Sequence, residues 1–235
     1  MSEDETSEST DDPATEAAAS PPAEKVAPPA QAASTQAARS SSRTGEVRRT
    51  TGETDVTLLL DLEGSGGGER KTGVGFFDHL LDALARHGGL DLEVQVQGDL
   101  ETGPHHTVED TGLALGRALD QALGDRAGIV RYGHVAIPMD EARASCALDV
   151  SGRPFMAFEG TFPAERVNDF DTDLAEEFMR AVATTAKLTL HIQLDAGTNA
   201  HHMVEASFKA FARALRQAVA LDPREPGVPS TKGVL

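Results

Sequence analysis

The sequence predicts an α+β fold made of two similar halves, and three observations carry this prediction. Segments such as "LDLEVQVQGD" alternate apolar and polar residues, which indicates strands with one buried face. Segments such as "HHTVEDTGLALGRALDQAL" place apolar residues at helical spacing. That helical segment also aligns without a gap with "HHMVEASFKAFARALRQAV", 96 positions later, which indicates an internal duplication.

The predicted elements follow the chain in the order strand, helix, strand, helix in each half. The first strand, in "TDVTLLLD", is followed by the turn "GSGGGER", a helix in "GFFDHLLDALARHGG" that stops at Gly88 and Gly89, and the strand "LDLEVQVQGD". A second helix starts at "HHTVED". In the second half, "ARASCALDVSGRPFMAFEGTF" supplies two short strands around "SGRP". A helix in "TDLAEEFMRAVATTAK", a strand in "LTLHIQLDA" and a helix from His201 to about Val219 follow.

Residues 1–45 have a different composition, dominated by Ser, Thr, Ala, Pro and acidic residues. Such a segment buries too little apolar surface to offset the entropy of ordering it. We therefore predict a disordered acidic tail at 1–45 and a folded domain at 46–235. The two halves of the domain are predicted at about 46–128 and 129–222, followed by a C-terminal tail at 223–235 that carries Pro and Gly.

Net charge and cysteine content exclude several classes of partner and of covalent cross-link. A net charge of −17 argues against nucleic acid and anionic membranes as partners. No apolar run approaches the ~18 residues of a membrane helix, and the N-terminal segment has no apolar centre typical of a signal peptide. The single cysteine, Cys146, excludes an internal disulfide, so we expect a cytoplasmic protein in which Cys146 is a buried structural residue.

The repeat places a histidine pair and a glutamate at equivalent positions twice. These residues are His105, His106, Glu109, His201, His202 and Glu205. On a helix, each glutamate shares a face with its histidines, whereas adjacent histidines point about 100° apart. The arrangement therefore predicts two metal ions, each with ligands from both halves. Nitrogen and oxygen ligands without thiolate suit Mn, Fe, Co, Ni or Zn, and more than four of them favour an octahedral ion.

Further candidate ligands lie elsewhere in the repeat. His79 lies one turn into a helix rich in phenylalanine, and its counterpart in the second half is Glu177, which is also a competent ligand. His87 lies at a helix end, where a role at the helix dipole and a role in the site both fit. His134 and His191 lie on predicted strands and are predicted to be structural.

Four segments together resemble one enzyme family. They are "DHLLDALARHGGLDLEVQVQGDLETGPHHTVEDTGLALGRAL", "IPMDEARASCALDVSGRPF", "GTNAHHMVEASFKAFARALRQAV" and "VPSTKGVL". From about Glu46 to Leu235 the chain resembles imidazoleglycerol-phosphate dehydratase. The resemblance implies removal of water from imidazole glycerol phosphate, which gives imidazole acetol phosphate in histidine biosynthesis.

The same resemblance implies a fold in which helices pack between two four-stranded sheets. It also implies two Mn²⁺ per active site that bind the substrate as an imidazolate, and a homo-oligomer of 24 subunits with sites at subunit interfaces. The implied metal ligands are His79, His105, His106, Glu109, Glu177, His201, His202 and Glu205. At position 177 the family often has histidine.

The residues implied to contact the small phosphorylated imidazole substrate are Glu53, His79, His87, Arg131, Arg153, Ser230 and Lys232. Arginine can bind phosphate oxygens bidentately, and lysine adds a point charge. Glu53 matches a glutamate that reaches the substrate of a neighbouring subunit. The candidates for proton transfer are Glu205, Glu109 and Glu53, of which we favour Glu205.

Two alternatives remain open from the residues alone. A binuclear hydrolase would use the same metal ligands. A non-catalytic protein in which metal ions join subunits would use them too, but it would not need the phosphate set of Arg131, Arg153, Ser230 and Lys232.

Overall fold

The computed structural model describes residues 43–235, so residues 1–42 of the predicted tail lie outside the described residues. The strands of the first sheet are β1 (Thr44–Thr50), β2 (Thr54–Asp61), β3 (Arg70–Lys71) and β4 (Asp91–Gly98). The strands of the second sheet are β5 (Tyr132–Met139), β6 (Ala142–Asp149), β7 (Phe155–Glu159) and β10 (Thr189–Ala196). A small hairpin is formed by β8 (Arg166–Val167) and β9 (Phe170–Asp171). The helices are α1 (Gly75–Gly88), α2 (His105–Leu123), α3 (Leu174–Ala186) and α4 (Ala200–Val219).

The two sheets have the same topology. Their strand orders are β1-β2-β4-β3 and β5-β6-β10-β7. In each sheet the first three strands are antiparallel neighbours and the fourth pairs in parallel. Each half also contains a helix, a strand and a helix in succession, α1-β4-α2 and α3-β10-α4. The predicted duplicated α+β fold is therefore confirmed.

Close contacts between the first strand of each sheet and a helix repeat as well. A side chain at Gly45 would place its Cβ 2.0 Å from the carbonyl oxygen of Ala118 on α2. At Gly133 the corresponding Cβ would lie 1.9 Å from the carbonyl oxygen of Ala214 on α4. Both glycines are required by the close approach of strand and helix backbones.

On α2 and on α4, a glutamine side chain accepts a hydrogen bond from the residue that follows the glycine of the neighbouring strand. Gln121 accepts a hydrogen bond from the backbone N–H of Glu46 at 3.0 Å, and Gln217 accepts one from His134 at the same distance. The two glutamines occupy equivalent positions in the sequence repeat. The duplication therefore extends to single hydrogen bonds.

One apolar core joins both sheets and all four helices. The main helical contacts of the first sheet are with α2 and those of the second with α4. Between these layers, Phe178 on α3 packs edge-on against Phe77 of α1 and stacks on Phe208 of α4, with ring centroids 5.3 and 5.2 Å apart. The helices thus lie between the two sheets, and each helix that carries a histidine pair is held on one sheet.

Several local features differ from or extend the sequence predictions. β1 starts at Thr44, two residues before the predicted start of the domain, because Thr44 pairs with Asp61 on β2. β1 was not predicted as a strand, and neither were β3, β8 and β9, since two-residue strands show no alternation. Gly89 has φ 67° and its N–H binds the carbonyl of Ala85, which ends α1 where the Gly-Gly pair predicts.

Cys146 lies on β6 and is fully buried. Burial raises the pKa of its thiol, which agrees with the structural role predicted for it. Separately, none of the helices within residues 43–235 combines the length and apolarity that crossing a bilayer demands.

Candidate metal and phosphate site

Three of the predicted ligands meet between α1 and α4. His79 Nε2 and His201 Nε2 each lie 3.2 Å from the same oxygen of Glu205, Oε2. One ligand atom from each of the three side chains lies within 4.8 Å of the others. We call these residues the α1–α4 cluster. It draws on both halves of the repeat, as the duplicated pattern predicts.

The start of α4 orients this cluster. Asn199 caps the helix by accepting a hydrogen bond from the backbone N–H of His201 at 2.9 Å. Because His201 and Glu205 are four residues apart, both side chains lie on the face of α4 that meets α1. Phe76 packs against the His201 ring, with centroids 4.8 Å apart.

Glu205 is the most enclosed member, with 8% of its side chain exposed. Burial opposes its ionisation, but hydrogen bonds from Lys209 and His79 outweigh burial and lower the pKa of Glu205. Lys209 Nζ lies 2.7 Å from Glu205 Oε1. The sequence interpretation missed Lys209, although its position four residues after Glu205 is a signal for this contact.

The first histidine pair lies on α2 with a looser geometry. His105 Nε2 lies 3.8 Å from Glu109 Oε2, and His106 Nε2 lies 3.6 Å from Oε1 of Glu53. The other ring nitrogen of His106 binds Asp99 at 3.0 Å, a contact that raises the pKa of His106. Asp99 was not among the predicted residues.

Glu177 lies in the first turn of α3, the helix that packs against α2. Its position therefore mirrors that of His79 on α1, beside the other histidine-bearing helix. Within residues 43–235, however, the α1–α4 cluster is the one group of three potential ligands that lie this close together. The structure does not bring Glu177 into an equivalent group with His105 and Glu109.

The fourth histidine of the two pairs, His202, points to the turn between β5 and β6. Its Nδ1 lies 2.7 Å from Glu141 Oε2, and its Nε2 lies 3.9 Å from Oδ2 of Asp140. The hydrogen bond with His202 lowers the pKa of Glu141 to about 2, and the pKa of His202 is raised. The sequence interpretation assigned no role to Asp140 or Glu141, which lie within "IPMDEA".

His87 lies near the end of α1 and is half-buried. Burial lowers the pKa of its imidazole, and the positive charges of Lys209 and Arg213 lower it further. A neutral His87 gains little from the negative end of the helix dipole. The structure therefore does not favour a role for His87 as a charged cap of α1. It places the imidazole beside the cationic side chains of α4.

The four predicted phosphate residues line a single open cavity of about 750 Å³. They are Arg131, Arg153, Ser230 and Lys232. The cavity lies where the end of the chain passes the second sheet, and none of the predicted metal ligands is among its lining residues in the described part of the chain. Three cationic side chains in one cavity suit a phosphate group.

Arg131 is held firmly at the edge of this cavity. Its guanidinium forms two hydrogen bonds with Asp149, at 2.7 and 3.1 Å, and a third with the carbonyl of Pro229 at 2.7 Å. Its backbone has φ 76°, which is unusual for a residue with a side chain, and its N–H binds the carbonyl of Ala218. Arg131 therefore ties the segment before Ser230 to the sheet.

Comparisons with known proteins agree with this architecture. The family model described as imidazoleglycerol-phosphate dehydratase matches residues 72–215. The imidazoleglycerol-phosphate dehydratase of Gluconacetobacter diazotrophicus is 53% identical over 83% of this chain and 99% of its own length. That of Halorhodospira halophila is 55% identical over 83% of this chain and 100% of its own.

Solved structures of the same family share the fold. The crystal structure of imidazoleglycerol-phosphate dehydratase from Staphylococcus aureus matches with a TM-score of 0.70 and 40% identity, over 76% of this chain and 99% of that one. The structure from Pyrococcus furiosus, solved in complex with (S)-C348, matches with a TM-score of 0.70 and 36% identity, over 80% and 100%. The chain therefore belongs to the imidazoleglycerol-phosphate dehydratase family.

Proposed function

We propose that this chain converts imidazole glycerol phosphate to imidazole acetol phosphate with two Mn²⁺ per active site. Family membership makes it an enzyme, a lyase of histidine biosynthesis. The observation that carries the finer proposal is the placement of Arg131, Arg153, Ser230 and Lys232 around one cavity, because a phosphorylated substrate needs such a set and a metal that only joins subunits does not.

The donor atoms of the site fit Mn²⁺. The α1–α4 cluster offers two imidazole nitrogens and a carboxylate, all within 4.8 Å of one another. His105, Glu109 and Glu177 would supply the same chemistry from α2 and α3, with His106 and His202 as further nitrogen ligands. Nitrogen and oxygen donors without a thiolate suit an octahedral Mn²⁺. When bound, the ion would act as a Lewis acid toward the imidazole ring of the substrate.

The side chains of the protein then have separate tasks. The reaction removes a hydroxyl group from one carbon and a proton from its neighbour, and the resulting enol becomes the ketone of the product. Arg131, Arg153, Ser230 and Lys232 would hold the phosphate and so fix the position of the reacting carbons.

A carboxylate is required to accept the carbon-bound proton. Glu205, Glu109 and Glu53 are the candidates, and we favour Glu205 because Lys209 and His79 keep it ionised. Glu109 and Glu53 are more exposed, with 44% and 54% of their side chains open to solvent.

We also propose that complete sites form between copies of the chain, in an assembly of 24 subunits. The metal ligands of one chain lie on two different helix pairs, and the phosphate cavity lies apart from both. Several chains that each supply one part would complete the site.

The substrate can be tested with purified chain by comparing imidazole glycerol phosphate with its dephosphorylated alcohol. We expect ketone formation from the phosphate ester, and a loss of at least about 100-fold in kcat/KM for the alcohol, since each charged hydrogen bond contributes about 1.5–3 kcal/mol. Lys232→Ala should reduce the preference for the ester by about 10-fold or more, since Arg131, Arg153 and Ser230 remain. Equal turnover of ester and alcohol would contradict the proposed substrate.

A further inference from the structure

We propose that Asp99 and Glu141 are positioning residues that hold His106 and His202 in the tautomer and orientation needed for metal binding. The inference rests on the proposed two-metal function and goes beyond it, because neither carboxylate is a predicted ligand. Each would act through a histidine, by keeping the Nε2 lone pair directed at the ion.

The hydrogen bonds lie on the same ring nitrogen in both cases. His106 Nδ1 lies 3.2 and 3.0 Å from the two oxygens of Asp99, and His202 Nδ1 lies 2.7 Å from Oε2 of Glu141. An ionised carboxylate can only accept a hydrogen bond, so Nδ1 must carry the hydrogen. In a neutral imidazole this leaves the lone pair on Nε2, the form that binds a metal ion.

Both carboxylates are themselves held in place. Asp99 Oδ2 accepts a hydrogen bond from the hydroxyl of Thr102 at 2.9 Å. Glu141 Oε1 accepts hydrogen bonds from the backbone N–H groups of Thr198 and Asn199, at 3.1 and 2.8 Å. The second oxygen of Glu141 is thereby directed at His202 across the loop that precedes α4.

The two halves reach the same contact from different places in the fold. Asp99 directly follows β4, whereas Glu141 lies in the turn between β5 and β6. Asp195 lies as far before His202 as Asp99 lies before His106, yet it binds Ser145 and Arg143 instead. Duplication alone therefore does not explain why both histidines have a carboxylate at Nδ1. The recurrence indicates that each histidine requires a hydrogen-bond acceptor at this nitrogen.

The opposite side of each ring also fits a cation. His106 Nε2 lies 3.6 Å from Glu53 Oε1, and His202 Nε2 lies 3.9 Å from Asp140 Oδ2. Each Nε2 therefore faces a carboxylate, which favours a positive charge at that nitrogen, either a proton or a metal ion. A metal ion at each Nε2 would supply that charge.

Mn²⁺ titration of the full chain, followed by the electron paramagnetic resonance signal of free Mn²⁺, tests the proposal. We expect Asp99→Ala and Glu141→Ala each to weaken Mn²⁺ binding about 10- to 100-fold. Asp99→Asn and Glu141→Gln keep an acceptor oxygen for Nδ1–H and should lose less. Asp195→Ala, which removes a carboxylate that contacts no histidine, should bind Mn²⁺ like the unaltered chain.

Solid-state ¹⁵N NMR of the metal-free chain with labelled histidine gives a readout independent of metal. At a pH where the imidazoles are neutral, each alanine variant should shift one histidine from the Nδ1–H toward the Nε2–H tautomer, a change that loss of stability alone would not produce. Unaltered affinities or unaltered tautomers in both alanine variants, alongside Mn²⁺ binding and turnover by the unaltered chain, would overturn this inference alone. Absence of Mn²⁺ binding by the unaltered chain would overturn the proposed function with it.

Discussion

His79 on α1 and Glu205 on α4 are 126 positions apart in the sequence, and their side chains lie 3.2 Å apart. His201 approaches the same carboxylate oxygen at the same distance. Glu205 therefore brings ligand atoms from both halves of the repeat together at one carboxylate oxygen. The carboxylate is buried, and its second oxygen is bound by Lys209 at 2.7 Å.

Glu205→Gln should abolish turnover. The amide cannot accept a proton and binds a metal ion poorly, so we expect kcat to fall by about 100-fold or more, while some substrate binding survives. Steady-state kinetics and calorimetric titration with substrate measure the two effects. Glu101→Gln, at an exposed position outside the site, is the control. Near-normal kcat in Glu205→Gln would rule out the catalytic role.

Glu177→Ala should weaken Mn²⁺ binding, whereas Glu176→Ala should not. Glu177 occupies the position on α3 that His79 occupies on α1, while the adjacent Glu176 pairs with Arg180 on the helix surface. Metal content after dialysis against limiting Mn²⁺ measures the difference. If both variants retain the same Mn²⁺, Glu177 is not a ligand in this chain.

Gly45→Ala and Gly133→Ala should each destabilise the fold by about 1–3 kcal/mol, because the added methyl group meets a helix carbonyl at 2.0 and 1.9 Å. Gly52→Ala is the matched control, since a Cβ there meets no atom within 4 Å. The free energy of unfolding from urea titration gives the comparison. Similar values for all three variants would mean that strand and helix do not approach this closely.

Arg131→Lys should raise the KM for substrate about 10- to 100-fold, because lysine cannot reproduce the paired hydrogen bonds to Asp149 and the bond to Pro229. The control is Arg224→Lys, whose arginine has 88% of its side chain exposed and pairs with Asp222. An unchanged KM in Arg131→Lys would show that its guanidinium does not organise the phosphate cavity.

The sequence predicts the large elements of this fold because their patterns are long. The alternation in "LDLEVQVQGD" and the repeated histidine-bearing helices correspond to β4, α2 and α4. The short strands β3, β8 and β9 carry no such pattern, since their pairing depends on neighbours distant in sequence. The strand β1 was missed as well, because "TGEVRRT" has one large apolar residue and its position is set by pairing with β2.

In the site, too, some residues are predicted from the sequence and others depend on contacts between distant segments. Residue type and repeat spacing single out His201 and Glu205, and the counterpart relation adds His79. Asp99 has a counterpart in Asp195 that binds no histidine, and Glu141 lies outside the aligned helices, so the repeat does not single out either residue. Each reaches its histidine from a loop whose path only the folded chain defines. Residues that orient ligands are therefore harder to predict from sequence than the ligands themselves.

The most direct test of the account is turnover of imidazole glycerol phosphate by the purified chain before chelation, after chelation, and after Mn²⁺ is restored. We predict that activity disappears with the chelator and returns with Mn²⁺, and that Glu205→Gln stays inactive throughout. Full activity in the thoroughly chelated chain, with metal content verified as negligible, would contradict a metal-dependent dehydratase.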